Sequence, residues 1–514
     1  MKVYLAGINV DTEVLRELEE SSGAKRADIT PEVLSAAYAR ISRDPRPINE
    51  IRTDARKEVE RSRKSNQTII FKMGHHSVAE HAVFNLDILG VSRLSMEEAE
   101  KFRLCSYTEK SQRYITLDKD FVIPEEIKGT KEEALFVKTI HIQNQAYFKL
   151  FENLKDYVFK KHKDLAADPK KHNLLEGWAK EDARYITALA TESQVGMTIN
   201  ARVLELLLRR FASSQLSEVR NLGKLIYEQV SPVAPSIVIF CQANARDQKT
   251  YPELRETVKE FLKKSEKIQT KKINPALVNK SWIKEVELVE FSKDGDKLIL
   301  AALLHASGNS TYKQCKAIAA KLNQEKSKKI FKAAWQNMQF YDSMLREFEY
   351  ANLTFNIVLS AACFGQLKRH RMSTITAQSY DPNLGLTIPE SIKEIGMEKY
   401  FREIVDKTNE AYIAINKKNS IAAPYILTNA HRKRVLMRVN LRELYHISRL
   451  REDTHAQWDI QNISAALSKE AKKVMPLASS LICGKDSYNQ TYQNIFGHLP
   501  NVTQAVLPGA RKIK

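Results

Sequence analysis

The side chains best suited to chemistry lie in a few short runs. Glu109-Lys110-Ser111-Gln112-Arg113 puts a carboxylate, an ammonium, a hydroxyl and a guanidinium within five residues. Arg369-His370-Arg371 is followed by Ser379, and Leu450-Arg451-Glu452-Asp453-Thr454-His455 leads into Ala456-Gln457-Trp458-Asp459. Guanidiniums are planar forks of donors that match phosphate and carbonyl oxygens. Successive amides in a short turn make an anion-binding concavity, which suits the backbone around Ser111. Arg451 and His455, four residues apart, are expected on one helix face, so that both point into a single cleft. Taken alone, Arg369-His370-Arg371 fits an exposed basic loop or an RNA phosphate contact better than a cofactor site. The cluster His75, His76, Glu80, His81 lacks the His-Glu-x-x-His spacing of a helical zinc site, so no metal is expected.

The elements that must position these groups come from a chain of 514 residues, too long for one ordinary domain. With 43% hydrophobic residues and only 16 Gly and 15 Pro, it can bury sizeable cores. No apolar run approaches the ~20 residues of a membrane span. The start, Met1 to Gly7, is too short in its apolar part for a secretory signal, so the cytoplasm is the expected address. Five scattered cysteines without a Cys-x-x-Cys pair agree with reduced thiols. The net charge of +19 favours anionic ligands without choosing among nucleic acid, nucleotides and phosphorylated cofactors.

The chain repeats itself. Met1 to Gly7 opens the first half with an apolar run, and Val286-Glu287-Leu288-Val289-Glu290-Phe291 opens the second with a strand-like alternation. Phe102 to Gln112 lies over His370 to Tyr380, with Arg103 on Arg371 and Ser111 on Ser379. Ile199-Asn200-Ala201-Arg202 lies over Val439-Asn440-Leu441-Arg442, each leading into a long helix. The expected organisation is a first domain over 1–245, a lysine-rich connection over 246–284 and a second domain over 285–514.

At this point the sequence resembles the flavin-dependent thymidylate synthases. Their pattern is Arg-His-Arg, then Ser, then Asn-Glu and Ser-x-Arg, with a late helix reading Leu-Arg-x-x-x-His-Ala-Gln. Gly74-His75-His76-Ser77-Val78-Ala79-Glu80-His81 is similar to a further segment of the family, Gly-His-x-Ser/Thr-x-x-Glu-His. Each half departs from the pattern differently. The first has Lys101-Phe102-Arg103 for Arg-His-Arg but keeps Glu109 to Arg113; the second keeps Arg369 to Arg371 but has Ala377 and Asp381 for the Glu and the final Arg. Likewise Arg184 in the first half faces Pro424 in the alignment, whereas Arg451 belongs to the second.

The resemblance implies an α+β fold: two tandem thymidylate-synthase-complementing-protein-like domains, each a mixed sheet packed with long helices. It implies that Gln366, Arg369, Glu109, Lys110, Ser111, Gln112, Arg113, Arg184 and Arg451 bind dUMP. It further implies that Ser77, His75, Arg369, His370, Arg371, Glu109, Asn440, Arg442, His446 and His455 surround FAD, although the family's Asn at the position of His446 is absent and its Asn before Glu is Thr108. Arg451 and Ser111 take the catalytic roles. NADPH is the implied reductant and methylenetetrahydrofolate the one-carbon donor; no cysteine nucleophile is required, which leaves Cys105 and Cys363 as small buried residues. Because family sites form between subunits of a homotetramer, a homodimer acting as a pseudo-tetramer is expected, with neither membrane nor nucleic acid as partner. A flavin- or nucleotide-binding paralogue without turnover, or a basic RNA-binding protein on the same scaffold, are the competing readings.

Overall fold

The computed structural model describes residues 1–20, 29–41, 43–113, 120–239, 241–265 and 284–501. Residues 266–283 of the expected connection, Lys271 and Lys272 among them, therefore lie outside the described residues. The chain divides into two compact units, Met1–Asn274 with Ile388–Asn429, and Pro275–Thr387 with Ala430–Lys514.

The first unit is built on a four-stranded sheet of β1 (Lys2–Ile8), β2 (Val83–Ser92), β3 (Cys105–Glu109) and β4 (Glu192–Asn200), in the order β1-β2-β4-β3. In β4 the residues Ser193, Val195, Met197 and Ile199 are buried and those between them are not, the period of a sheet with one face on the core. That face packs against Leu204, Leu207, Leu208 and Phe211 of α4 (Ala201–Ala212) and Leu222 and Ile226 of α5 (Ser217–Val230); α1 (Arg93–Ala99), α2 (Lys131–Lys161) and α3 (His172–Ala183) precede β4. Part of the second half joins this unit. The helix Glu398–Lys418 packs Ala411 and Ile415 with Phe136 and Ile140 of α2, and the turn after it adds Tyr425 and Ile426.

The second unit repeats the sheet with β5 (Val286–Phe291), β6 (Asn352–Ser360), β7 (Thr374–Ala377) and β8 (Arg432–Asn440), in the order β5-β6-β8-β7. Its core includes Phe355, Ile357, Val435, Met437 and Val439 from the sheet, with Leu367 of α6 (Ala361–Leu367), Leu444 and Ile447 of α7 (Leu441–Arg451) and Ile460 and Leu467 of α8 (Trp458–Val474). The helix that begins the second half spans Gly295–Ser307, and Asp294 before it adopts a left-handed conformation (φ 55°).

Every described pairing is antiparallel, in place of the mixed sheets expected. Strand β4 lies between β2 and β3 and pairs antiparallel with both, and β8 does the same between β6 and β7. The β3–β4 and β7–β8 pairs share their register as well, whereas β2 carries an irregularity between Leu89 and Val91 that β6 lacks. Glu109 pairs with Val195 and Ala377 with Val435, so the carboxylate and its alanine counterpart stand at equivalent points. Asn200 and Asn440 each cap the following helix, accepting from Val203 N and Glu443 N at 3.0 and 2.8 Å. The Ser92 hydroxyl bonds Glu218 at 2.6 Å, and Ser360 bonds Asp459 at 2.5 Å, each carboxylate lying on the helix that follows the late one. Among the described helices none is long and apolar enough to cross a membrane.

Candidate functional site

In the first unit, β3 ends at Glu109 and delivers the Lys110 to Arg113 turn. Lys110 N donates to Gln194 O at 2.9 Å, and Ser111 Oγ accepts from Arg113 N at 3.2 Å. The Glu109 carboxylate is nearly buried, with Arg93 Nη1 at 3.0 Å and Ser193 Oγ at 3.2 Å. Arg113 pairs with Glu181 of α3. Arg184 follows that helix, is 6% exposed, and donates Nε to Glu181 O at 3.2 Å. Burial pulls the Arg184 guanidinium below the usual arginine range; Tyr185 and Glu181 oppose this, while Arg93 and Arg113 reinforce it. Gln112 is buried too, its Oε1 accepting from Asn429 Nδ2 at 3.1 Å. Arg184 Nη2 and Gln112 Nε2 are buried donors without a partner among the described residues. A buried donor left unpaired costs ~1–3 kcal/mol, so these two donors are chemically matched to a ligand rich in acceptors.

Elsewhere in this unit, His75 and Ser77 are exposed around the short turn His76–His81, and Arg202 is ion-paired with Glu80.

In the second unit His370 is the hub. It is 3% exposed, accepts Arg451 Nε at Nε2 over 3.0 Å and has Glu443 3.6 Å from Nδ1. Burial lowers its pKa; Glu443 opposes this, and the Arg451 charge adds to it. His370 is therefore a neutral acceptor at neutral pH. Arg451 also reaches Gln366, Nη1 to Oε1 and Nη2 to O at 3.5 Å each, while Gln366 Nε2 donates to Gln457 at 3.3 Å. Arg369 donates Nε to Gly365 O at 3.3 Å, and Arg371 is exposed. His370 and Gln366 thus hold the Arg451 guanidinium in one orientation.

A cavity of about 260 Å³ lies beside this cluster, lined by Tyr341, Met344, Arg442, Glu443, His446 and Arg449 among others. Arg442 is held by Met344 O at 2.7 Å and Glu349 at 3.1 Å. Arg449 sits partly buried against the backbone carbonyls of Gln339 and Asp342 and over the Tyr488 ring, 5.5 Å from its centroid.

His455 does not share a helix with Arg451. Helix α7 stops at Arg451 and α8 starts at Trp458. The Asp453 carboxylate accepts from His455 N at 2.8 Å, and Asp486 accepts from Thr454 N at 2.9 Å, so carboxylates replace the helical acceptors of these amides. A side chain at Gly484 would collide with the Glu452 carbonyl, which keeps this turn closed. His455 ends in solvent against Asp453, which also pairs with Lys485 at 3.0 Å.

A family model described as "Thymidylate synthase complementing protein" matches residues 27–236 and, a second time, 287–477. The chain belongs to that family. A flavin-dependent thymidylate synthase of Clostridium tetani is 30% identical over 213 residues, which is 80% of that relative but 40% of this chain. One such enzyme chain thus corresponds to less than half of this family member. Relatives of matching length carry the name UPF0159 protein. That of Chlamydia muridarum is 25% identical over 442 residues, 82% of this chain and 81% of its own, and that of Thermoplasma acidophilum is 22% identical over 488 residues, 87% and 94%.

Several residues of this family member that shape the two clusters carried no signal in the sequence. Arg93 and Glu181 lie 16 and 68 residues from the groups they pair with, and Asn429 lies 317 residues from Gln112. Glu443 was visible only as a carboxylate one turn into the late helix. None of the five cysteines forms a disulfide, and Cys105 and Cys363 are buried as small core residues.

Proposed function

We propose that this protein is a flavin-dependent thymidylate synthase acting in the cytoplasm, which converts dUMP to dTMP with methylenetetrahydrofolate, FAD and NADPH. The observation that carries this reading is the sorting of groups between the halves. At equivalent points of two sheets, one half has the Glu109 to Arg113 turn and Arg184, and the other has Ala377 in place of that Glu but retains Arg369 to Arg371 and Arg451. Decay without selection would not leave complementary sets.

In this reading Ser111, Arg113 and Arg184 take the nucleotide phosphate, and the buried unpaired donors of Arg184 and Gln112 support that choice. By the family resemblance Gln366, Arg369 and Arg451 take the pyrimidine, and Glu109 and Lys110 also contact dUMP. His370 stays neutral and holds Arg451 by its Nε, and Gln366 sits beside both Nη groups, so that the guanidinium is oriented to stabilise negative charge as the ring is activated, an electrostatic role of the oxyanion-hole type.

The residues fit a flavin dinucleotide. Arg442 and Arg449 around the cavity beside His446 offer positive charge to a diphosphate, and Arg371, Asn440, His75 and Ser77 complete the set implied by the family. Bound FAD would supply the hydride that completes the methyl group. Since one chain then holds one complete set, the working assembly is a homodimer equivalent to four single domains.

The test is turnover. Purified protein supplied with NADPH and methylenetetrahydrofolate should oxidise NADPH in a dUMP-dependent manner and form dTMP. Colourless protein with salt-dependent RNA binding and no dTMP would overturn the reading.

A further inference from the structure

The first unit contains a hydrogen-bond relay that the family pattern does not include. Asn429 is fully buried and pinned by its backbone, N donating to Thr187 O at 2.9 Å. Its Nδ2 faces three acceptors: Gln112 Oε1 at 3.1 Å, Arg184 O at 3.0 Å and Thr187 Oγ1 at 3.0 Å. The Arg184 carbonyl can only accept, and the Thr187 hydroxyl spends its proton on that same carbonyl at 2.8 Å. The Asn429 amide is therefore fixed with its nitrogen toward this group, because the flipped amide would set oxygen against oxygen. A donor at Asn429 in turn fixes Gln112. Its Oε1 is committed to Asn429, so Nε2 must point onward as a donor, and that atom is buried without a partner among the described residues. Arg184, whose carbonyl the same asparagine holds, has Nη2 in the same condition.

The geometry points to Asn429 as the positioning residue that makes Gln112 a donor to the nucleotide phosphate, an inference that rests on the dUMP reading above. Asn429 touches no ligand. It acts through the side chain of Gln112 and the backbone of Arg184, converting an amide with two faces into one that offers only hydrogen. A phosphate, which only accepts when fully ionised, is the group such a paired-donor arrangement selects. The asparagine comes from the second half of the chain and serves a turn of the first, so the N-terminal domain alone would lack it.

The experiment is a double-variant cycle on the flavin-loaded full-length protein, with dUMP and inorganic phosphate as probes and thermal melting alongside. Asn429→Ala should weaken dUMP binding about tenfold, the scale of one hydrogen bond to a charged group. In a Gln112→Ala background the same change should alter dUMP affinity far less, because the side chain it acts through is gone. Phosphate affinity should fall in parallel with dUMP affinity. Gln112→Glu, still able to accept from Asn429 but without a donor beyond, should bind dUMP more weakly than Gln112→Ala, and this variant decides the matter if Asn429→Ala fails to fold. Equal losses in both backgrounds, a lowered melting temperature with unchanged dUMP affinity, or wild-type binding by Gln112→Glu would each overturn the positioning role while leaving the dUMP reading in place. Wild-type protein that holds flavin but binds neither dUMP nor phosphate would overturn both.

Discussion

Asn429 Nδ2 and Gln112 Oε1 meet at 3.1 Å across 317 residues of chain. The contact places a residue of the second repeat in the same compact unit as the Ser111 to Arg113 turn of the first. The repeats are therefore not beads on a string. The segment Ile388–Asn429 shares the core of the first unit through Ala411, Ile415 and Tyr425.

Arg451→Ala is expected to reduce dUMP-dependent turnover by about a hundredfold to a thousandfold, the range for losing one electrostatic stabiliser of a developing anion. Arg451→Lys should not restore it, because a lysine cannot bond His370 and Gln366 and still present a fork. Steady-state kinetics with matched flavin content checks this, and a kcat within threefold of wild type for Arg451→Ala would be the contrary result.

Arg113→Ala and Arg369→Ala should each abolish most activity, and the double variant in one chain should lose little more than either alone. Groups serving one site are non-additive in this way. Multiplying losses would indicate that the halves run separate sites.

Phe102 and Asp381 stand where each half departs from the family pattern, and both have structural work. The Phe102 ring lies 6.2 Å from that of Phe211, and Asp381 Oδ1 accepts from Asn383 N at 2.9 Å. Phe102→Ala should cost about 2 kcal/mol of stability and Asp381→Ala about 1 kcal/mol, with turnover within about twofold of wild type. A loss of turnover on the Arg451→Ala scale at either position would be incompatible with one working constellation.

Much of this arrangement was legible in the sequence. The repeat of a segment with Asn200 over Asn440, each leading into a helix, followed from residue periodicity, because helical spacing is written in neighbouring residues; that both asparagines cap those helices came from the structure. The end of the late helix was not legible. Arg451 and His455 have helical spacing, yet Asp453 and Asp486 capture the amides between, and Asp486 lies 32 residues downstream of Thr454. Arg93, Glu181 and Asn429 were missed for the same reason: pairing across tens to hundreds of residues leaves no local pattern.

His370 gives a pH signature. Burial holds it below its ordinary value of 6.5, so the folded chain binds this proton less readily than the unfolded one. Its neutral form is fully compatible with folding above about pH 6.5, and stability falls as pH drops from there toward the depressed folded value. His370→Gln, which keeps an acceptor for Arg451, should flatten the acid limb of Tm against pH. An acid limb identical to wild type would contradict the buried neutral assignment.

Glu218 binds four donors: Ser92 N and Oγ at 2.6 Å, Ser95 Oγ at 2.6 Å and Tyr425 Oη at 2.9 Å. Glu218→Ala would strand several of them in the core and is expected to cost on the order of 3 kcal/mol or more in urea unfolding. A change below about 1 kcal/mol would show that the network is dispensable.

The most direct measurement is the amount of FAD released per chain when the purified full-length protein is denatured. Two repeats sharing one constellation predict one FAD for each chain of 514 residues. Two per chain would mean that each repeat keeps its own site, and none would mean that the flavin chemistry is not this protein's.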